Sequence, residues 1–189
     1  MIFLVKYDYF ENLEKISDLA LSAVRLACLC EGDSDMTTLR LSCDRLVCET
    51  EDALFNDFIP PLERDNIAAA AHTVSRVIDK AYELFSHTAA SSQFKKCNEE
   101  AEICVRLAEK LKEEVSILKK IRRPKETPDI QGFRELLSEG RDAHRRMLAK
   151  IRSGALPRGC AESVILTGKL RSELSVAFDE IVEIMLNNI

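Results

Sequence analysis

Four kinds of residue in this 189-residue chain have the chemistry to form a site, and spacing decides what each is able to do. Seven cysteines are present, but Cys28/Cys30 and Cys43/Cys48 lack the C-x-x-C spacing of a zinc or redox motif. An odd number of thiols spread through helical segments reads as the reduced cysteines of a cytosolic protein. The histidines His72, His87 and His144 are scattered and form no H-x-x-x-H. His144 touches the core face of its helix, where it is expected as a satisfied bundle histidine. Aspartates recur with near-equal offsets: Asp44 and Asp142 lie 98 positions apart, Asp79 and Asp179 100 apart. The densest basic run is Lys119, Lys120, Arg122, Arg123 and Lys125. It suits a helix C-terminus, where cations oppose the dipole, or contact with an anionic surface at about 1 kcal/mol per residue. The first role is the favoured one. No G-x-x-x-x-G-K-[ST] occurs, and Gly140 reads as a close-packing position rather than a phosphate cradle.

These residues sit on helices. All five prolines fall at Pro60-Pro61, Pro124 with Pro128, and Pro157, and proline interrupts a helix. Between them the apolar spacing is helical. Cys97, Ala101, Cys104, Ala108, Leu111, Val115 and Leu118 step four and three alternately, which is a bundle seam. Further seams run Leu13, Ile16, Ala20, Ala23, Ala27, Cys30; Ile67, Ala70, Val74, Val77, Ala81, Leu84; and Leu170, Leu174, Ala177, Ile181, Ile184. The spacing predicts helices over 7–31, 34–57, 64–90, 92–122, 128–153 and 160–187. Ser34 and Asp65 are the expected N-caps of the second and third, and Thr127 with Pro128 opens the fifth. Gly32, Gly154 and Gly159 sit at helix ends. The order of helices repeats, so residues 1–90 and 91–189 read as two tandem three-helix units of one all-α, six-helix bundle.

Composition agrees. With 46% hydrophobic residues the chain is able to bury a core, and with six Gly it lacks the turns of a sandwich or barrel. No window approaches the roughly 18 apolar residues of a membrane span, and Lys6 and Asp8 cut short any signal-peptide core. The net charge of −5 divides unevenly. Residues 1–90 hold 8 Lys+Arg and 16 Asp+Glu, and residues 91–189 hold 19 and 16. An acidic chain is a poor candidate for nucleic acid; the basic half is free to face something anionic.

The segment Phe58-Ile-Pro-Pro-Leu-Glu-Arg-Asp-Asn-Ile67 resembles the "F-I-T-P-[ILF]-D-R-E-D-I" loop of PhoU-like proteins that accompany Pit-type phosphate transporters. Tyr9-Phe10-Glu11-Asn-Leu13 is similar to that family's "Y-F-x-x-F/L" opening. In the loop, Pro60 and Pro61 stiffen the connection, while Arg64 and Asp65 close it onto a neighbouring helix. The resemblance implies E/D-x-x-x-D pairs that converge on a cation cluster, since carboxylates four apart share a helix face. Hard oxygen ligands of that kind suit Mg, Mn, Ca or iron. Here the trailing acids Asp44, Asp79, Asp142 and Asp179 remain, but Arg40, Ser75, Ser138 and Ser175 hold the leading positions. The expectation is no cofactor, or at most one weakly held divalent metal. The resemblance further implies a non-enzymatic cytoplasmic protein, peripheral at the inner face of the membrane, that modulates a membrane phosphate transporter by binding it. The alternative is a helical scaffold or adaptor that has lost the metal and phosphate role; a homo-oligomer is compatible with either. A ferritin-like carboxylate enzyme would need Glu-x-x-His, which does not occur.

Overall fold

A computed structural model of the chain describes residues 7–31, 35–88, 99–119 and 127–188. Six α-helices occur among them: α1 (Tyr9–Leu29), α2 (Met36–Asn56), α3 (Arg64–Thr88), α4 (Glu99–Leu118), α5 (Ile130–Arg152) and α6 (Ala161–Asn187). A 3-10 turn, Arg158–Cys160, leads into α6. No strand occurs among the described residues.

Three expected caps move. Asp35, not Ser34, caps α2, its carboxylate accepting from Thr38 N–H at 3.0 Å. Asp129, not Thr127, caps α5, with Oδ1 accepting from Gly132 N–H at 3.0 Å. The start shifts because Asp129 is held from α4 as well. Lys110 Nζ reaches Asp129 Oδ2 at 2.7 Å, and Glu114 Oε1 accepts the Asp129 N–H at 3.0 Å. Asp65 lies inside the first turn of α3 rather than before it, and the Glu63 carbonyl accepts the first helical amides. An acid there still faces the positive end of the helix dipole. Gly154 has φ +78° just past α5, and its N–H returns to the Ile151 carbonyl at 3.1 Å; that left-handed residue ends the helix as glycine commonly does.

The seams become the core. α1, α3, α6 and α4 form a closed ring of neighbours, with α2 laid outside α1 and α3, and α5 outside α4 and α6. The hydrophobic core runs through both halves of the chain without a break. Every described residue of the four seams is buried except Cys30, which lies beyond the end of α1 at φ +56° and is exposed. Cys97 lies outside the described residues. Alanines at Ala20, Ala23, Ala27, Ala70 and Ala81 let the ring helices approach closely, and Phe133 of α5 stacks on Phe178 of α6 at 3.6 Å between centroids.

Ion pairs between helices set the polarity. Arg25 pairs with Glu109 and Asp18 with Lys112, so α1 and α4 run antiparallel. Arg76 with Glu173, Lys169 with Glu83, and His87 with Glu162 show the same for α3 and α6. One end of the bundle therefore gathers the start of α1, the α2–α3 loop and the end of α4. The other gathers the ends of α3 and α5 and the starts of α4 and α6.

Candidate functional site

The α2–α3 loop is organised around Asp57. Its carboxylate accepts from Ile59 N–H and from the Tyr9 hydroxyl, each at 3.2 Å, and its own N–H caps α2 against the Ala53 carbonyl at 2.8 Å. Arg64 donates to the Asp57 carbonyl, clamping the start of α3 to the end of α2. Burial, together with Asp57, pushes the Tyr9 phenol up to about 12. Leu62 anchors the loop in the core. Pro60 and Pro61 lie half-buried between them, whereas Phe58 is 92% and Ile59 73% exposed, with Phe55 of α2 at 86% beside them in sequence. Lys119, exposed at the end of α4, lies at this same end of the bundle. The remaining basic-run residues, Lys120, Arg122, Arg123 and Lys125, lie outside the described residues.

The four aspartates sit on α2, α3, α5 and α6, all exposed. Asp79 is held by Arg40 Nε at 3.0 Å, and the Arg40 guanidinium also lies 5.0 Å from the Tyr82 ring centre. Asp142 pairs with Arg145 at 3.2 Å. Asp44 and Asp79 both act on the Cys43 thiol, which burial chiefly pushes up to about 11. Among the described residues no three His, Cys, Asp or Glu side chains gather in a way that would hold a metal ion. A guanidinium at one leading position and hydroxyls at the others leave a donor set that does not fit a cation cluster.

A charged cluster that sequence reasoning did not find lies between α4, α5 and α6. Glu100 is 0% exposed; its Oε2 is 2.8 Å from His144 Nδ1, and its Oε1 is 3.1 Å from Arg171 Nε. The second contact is a charge contact without an aligned hydrogen bond: Glu100 Oε1, Arg171 Nε and Arg171 Nη1 all lack a hydrogen-bond partner. Burial raises the Glu100 carboxyl above the ordinary range, outweighing the opposing pull of His144 and Arg171. Two mid-helix glycines make the space. A Cβ on Gly168 would stand 2.7 Å from His144 Cε1, and one on Gly140 would stand 2.8 Å from Arg171 Cδ. The sequence signal was those glycines, since a helix-interior glycine costs about 1 kcal/mol and asks for a packing reason.

Beside this cluster α6 floors an open cleft of about 490 Å³ with α3 on one bank and α5 on the other. Lys80, His144, Gly168, Lys169, Arg171 and Ser172 face it. Lys80 and Lys169 share one carboxylate, Glu83, at 3.0 and 3.4 Å, and hold its carboxyl below the usual range, Lys80 most.

Six helices in this arrangement share the fold of two solved PhoU-like proteins. A crystal structure described as a PhoU-like phosphate regulatory protein from Shewanella oneidensis MR-1 superposes with a TM-score of 0.67, covering 95% of this chain and 96% of that one at 12% identity. A second, a PhoU-like protein from the same organism, gives 0.64 with the same coverage at 13% identity. At such identity the likeness establishes the fold. No family model and no curated protein matches the sequence.

Proposed function

We propose that the chain is a non-enzymatic accessory protein that regulates inorganic phosphate transport by binding a membrane phosphate transporter of the Pit type. The observation that carries this reading is the meeting of two features at one end of the bundle. The loop that resembles the phosphate-uptake signature, with Phe58 and Ile59 outward, and Lys119 at the head of the basic run are about 60 positions apart in sequence. Antiparallel packing of α1 on α4 brings them to the same end. An exposed aromatic and aliphatic pair at the same end of the bundle as Lys119 is suited to a partner with an apolar centre and acidic border, docked at an anionic membrane face. No helix among the described residues is long and apolar enough to cross a membrane, so the contact is peripheral in this reading. The likeness to a phosphate regulatory protein supports the choice of pathway.

Co-purification with a Pit-type permease tests it. Phe58→Ser with Ile59→Ser, and separately Arg122, Arg123 and Lys125 to Glu, should each weaken capture, the second with strong salt dependence in the wild type. A folded wild type that captures neither permease nor anionic vesicles would move the reading to a scaffold or adaptor. The Arg40–Asp79 ion pair, where a cation ligand set would stand, is what favours that second reading.

A further inference from the structure

The geometry points to the α3–α5–α6 cleft as a binding site for a phosphoryl group, an oxyanion of phosphate type carried by a small molecule. Charge comes first. Lys80, Lys169, Arg171 and Arg76 stand against only three carboxylates, Glu83, Glu100 and Glu173, before any proton on His144 is counted. Glu173, the acid that faces the cleft, is taken up by Arg76 Nε at 2.8 Å. Two lysines on one shared carboxylate leave a surplus positive charge at the cleft, Lys80 on the α3 bank and Lys169 on the α6 floor.

Donors come second. Arg171 is 9% exposed, faces the cleft, and has an Nη1 with no hydrogen-bond acceptor. Nη1 is itself shut off from solvent, so what Arg171 brings to the cleft is its charge at short range. His144 and Ser172 also face the cleft, but His144 spends Nδ1 on Glu100 and the Ser172 hydroxyl donates to the Gly168 carbonyl at 3.0 Å, so the two lysines carry the recognition. Gly168 lets the His144 ring lie directly on α6, which keeps that side of the cleft low.

A second cleft lacks this imbalance. The one between α1 and α2, about 500 Å³, has its cations matched one for one: Lys15 with Glu11, Arg45 with Glu49, and Asp18 with Lys112. At about 490 Å³ the α6 cleft has room for more than one tetrahedral anion, and Ile165 gives it an apolar margin. The ligand is therefore a phosphomonoester, or free phosphate as its minimal form. The site lies toward the opposite end of the bundle from the α2–α3 loop, Lys80 standing about 24 Å along α3 from Arg64 at 1.5 Å per residue. The inference does not depend on transporter docking.

Calorimetric titration of the full chain with orthophosphate, glycerol 3-phosphate and potassium chloride at matched ionic strength, alongside vesicles containing phosphatidic acid, tests it. Saturable binding of phosphate or the phosphomonoester is expected, weakened at least about tenfold by Lys80→Gln with Lys169→Gln, since each charge-assisted bond is a sizeable share of a weak affinity. Arg45→Gln, a cation of the balanced cleft, should leave it unchanged. Both lysines are partly exposed, so the double variant should unfold at the wild-type denaturant concentration. Binding to vesicles but not to soluble phosphates, lost in the same variant, would assign the phosphoryl group to a lipid headgroup. Absence of binding to any of the phosphorylated probes, binding no stronger than chloride's, or binding that survives the double variant would overturn the proposal.

Discussion

Replacing Arg171 with methionine isolates what the buried guanidinium does for the fold. Methionine keeps a long, flexible apolar stem, so the change removes charge and donors more than volume. Glu100, fully buried, would then keep His144 as its remaining side-chain partner in the cluster, at 2.8 Å. Removing one partner of a buried ion pair costs about 3–5 kcal/mol, because the other charge is left uncompensated. Here the Arg171 Nε–Glu100 contact lacks an aligned hydrogen bond, so the expectation sits at the low end, about 3 kcal/mol. In a chain of this length each kcal/mol moves the melting temperature by about 2–4 °C, which gives a fall of about 6–12 °C. Adding Glu100→Gln should recover much of the loss, since replacing both partners of a buried pair is often close to neutral. The deficit should also shrink on acidification. The Glu100 carboxyl is raised in the fold, so its contribution is present below the unfolded carboxyl range and is lost as pH rises through the folded value. Urea unfolding followed by circular dichroism on the wild type, both single variants and the double closes the cycle. A cost under about 1 kcal/mol for Arg171→Met, or single costs that simply add in the double variant, would refute the reasoning.

Three further outcomes follow from the same structure. Glu114 is buried, accepts from Asp129 N–H, and has its carboxyl raised, mainly by burial. The stability of the wild type relative to Glu114→Gln should therefore increase between pH 7.5 and about 5, and a flat difference would contradict the assignment. Cys30 and Cys48 are exposed and should label with a thiol reagent at once. Cys104 should label only on unfolding, since it is fully buried and its thiol is raised by a hydrogen bond with the free thiol of Cys28 and by burial; mass mapping of labelled peptides decides this. After mild dialysis the protein should contain well under one equivalent of Mn, Fe or Zn by elemental analysis, given Arg40 on Asp79. A multinuclear cluster would show that the aspartates are arranged otherwise.

Helix type and approximate extent were legible in the chain because a four-three apolar period leaves a helix one way to bury its stripe. The described seam residues from Leu13 to Ile184, Cys30 apart, all lie in the core. Helix starts were less legible. Ser34, Asp65 and Thr127 are all sound caps by type, but a cap is chosen by what else can be satisfied at once. Asp129 won because it also meets Lys110 and Glu114 on α4. Arg64 showed its value in sequence as part of a loop motif, and the tertiary structure added its acceptor, the Asp57 carbonyl.

What the amino-acid sequence determined by itself was local: period, breaks, and which positions carry charge. What only the tertiary structure decided was which charges meet. Glu100, His144 and Arg171 come from three helices, and nothing in a helical period says that a glutamate beside a seam will be sealed from water. Antiparallel packing likewise put the α2–α3 loop and Lys119 at one end and the cationic cleft toward the other. The physical reason is range. Backbone hydrogen bonding and side-chain periodicity act within about four residues and are written in the order of the chain. Burial and charge pairing act through space, and only the packed bundle sets those distances.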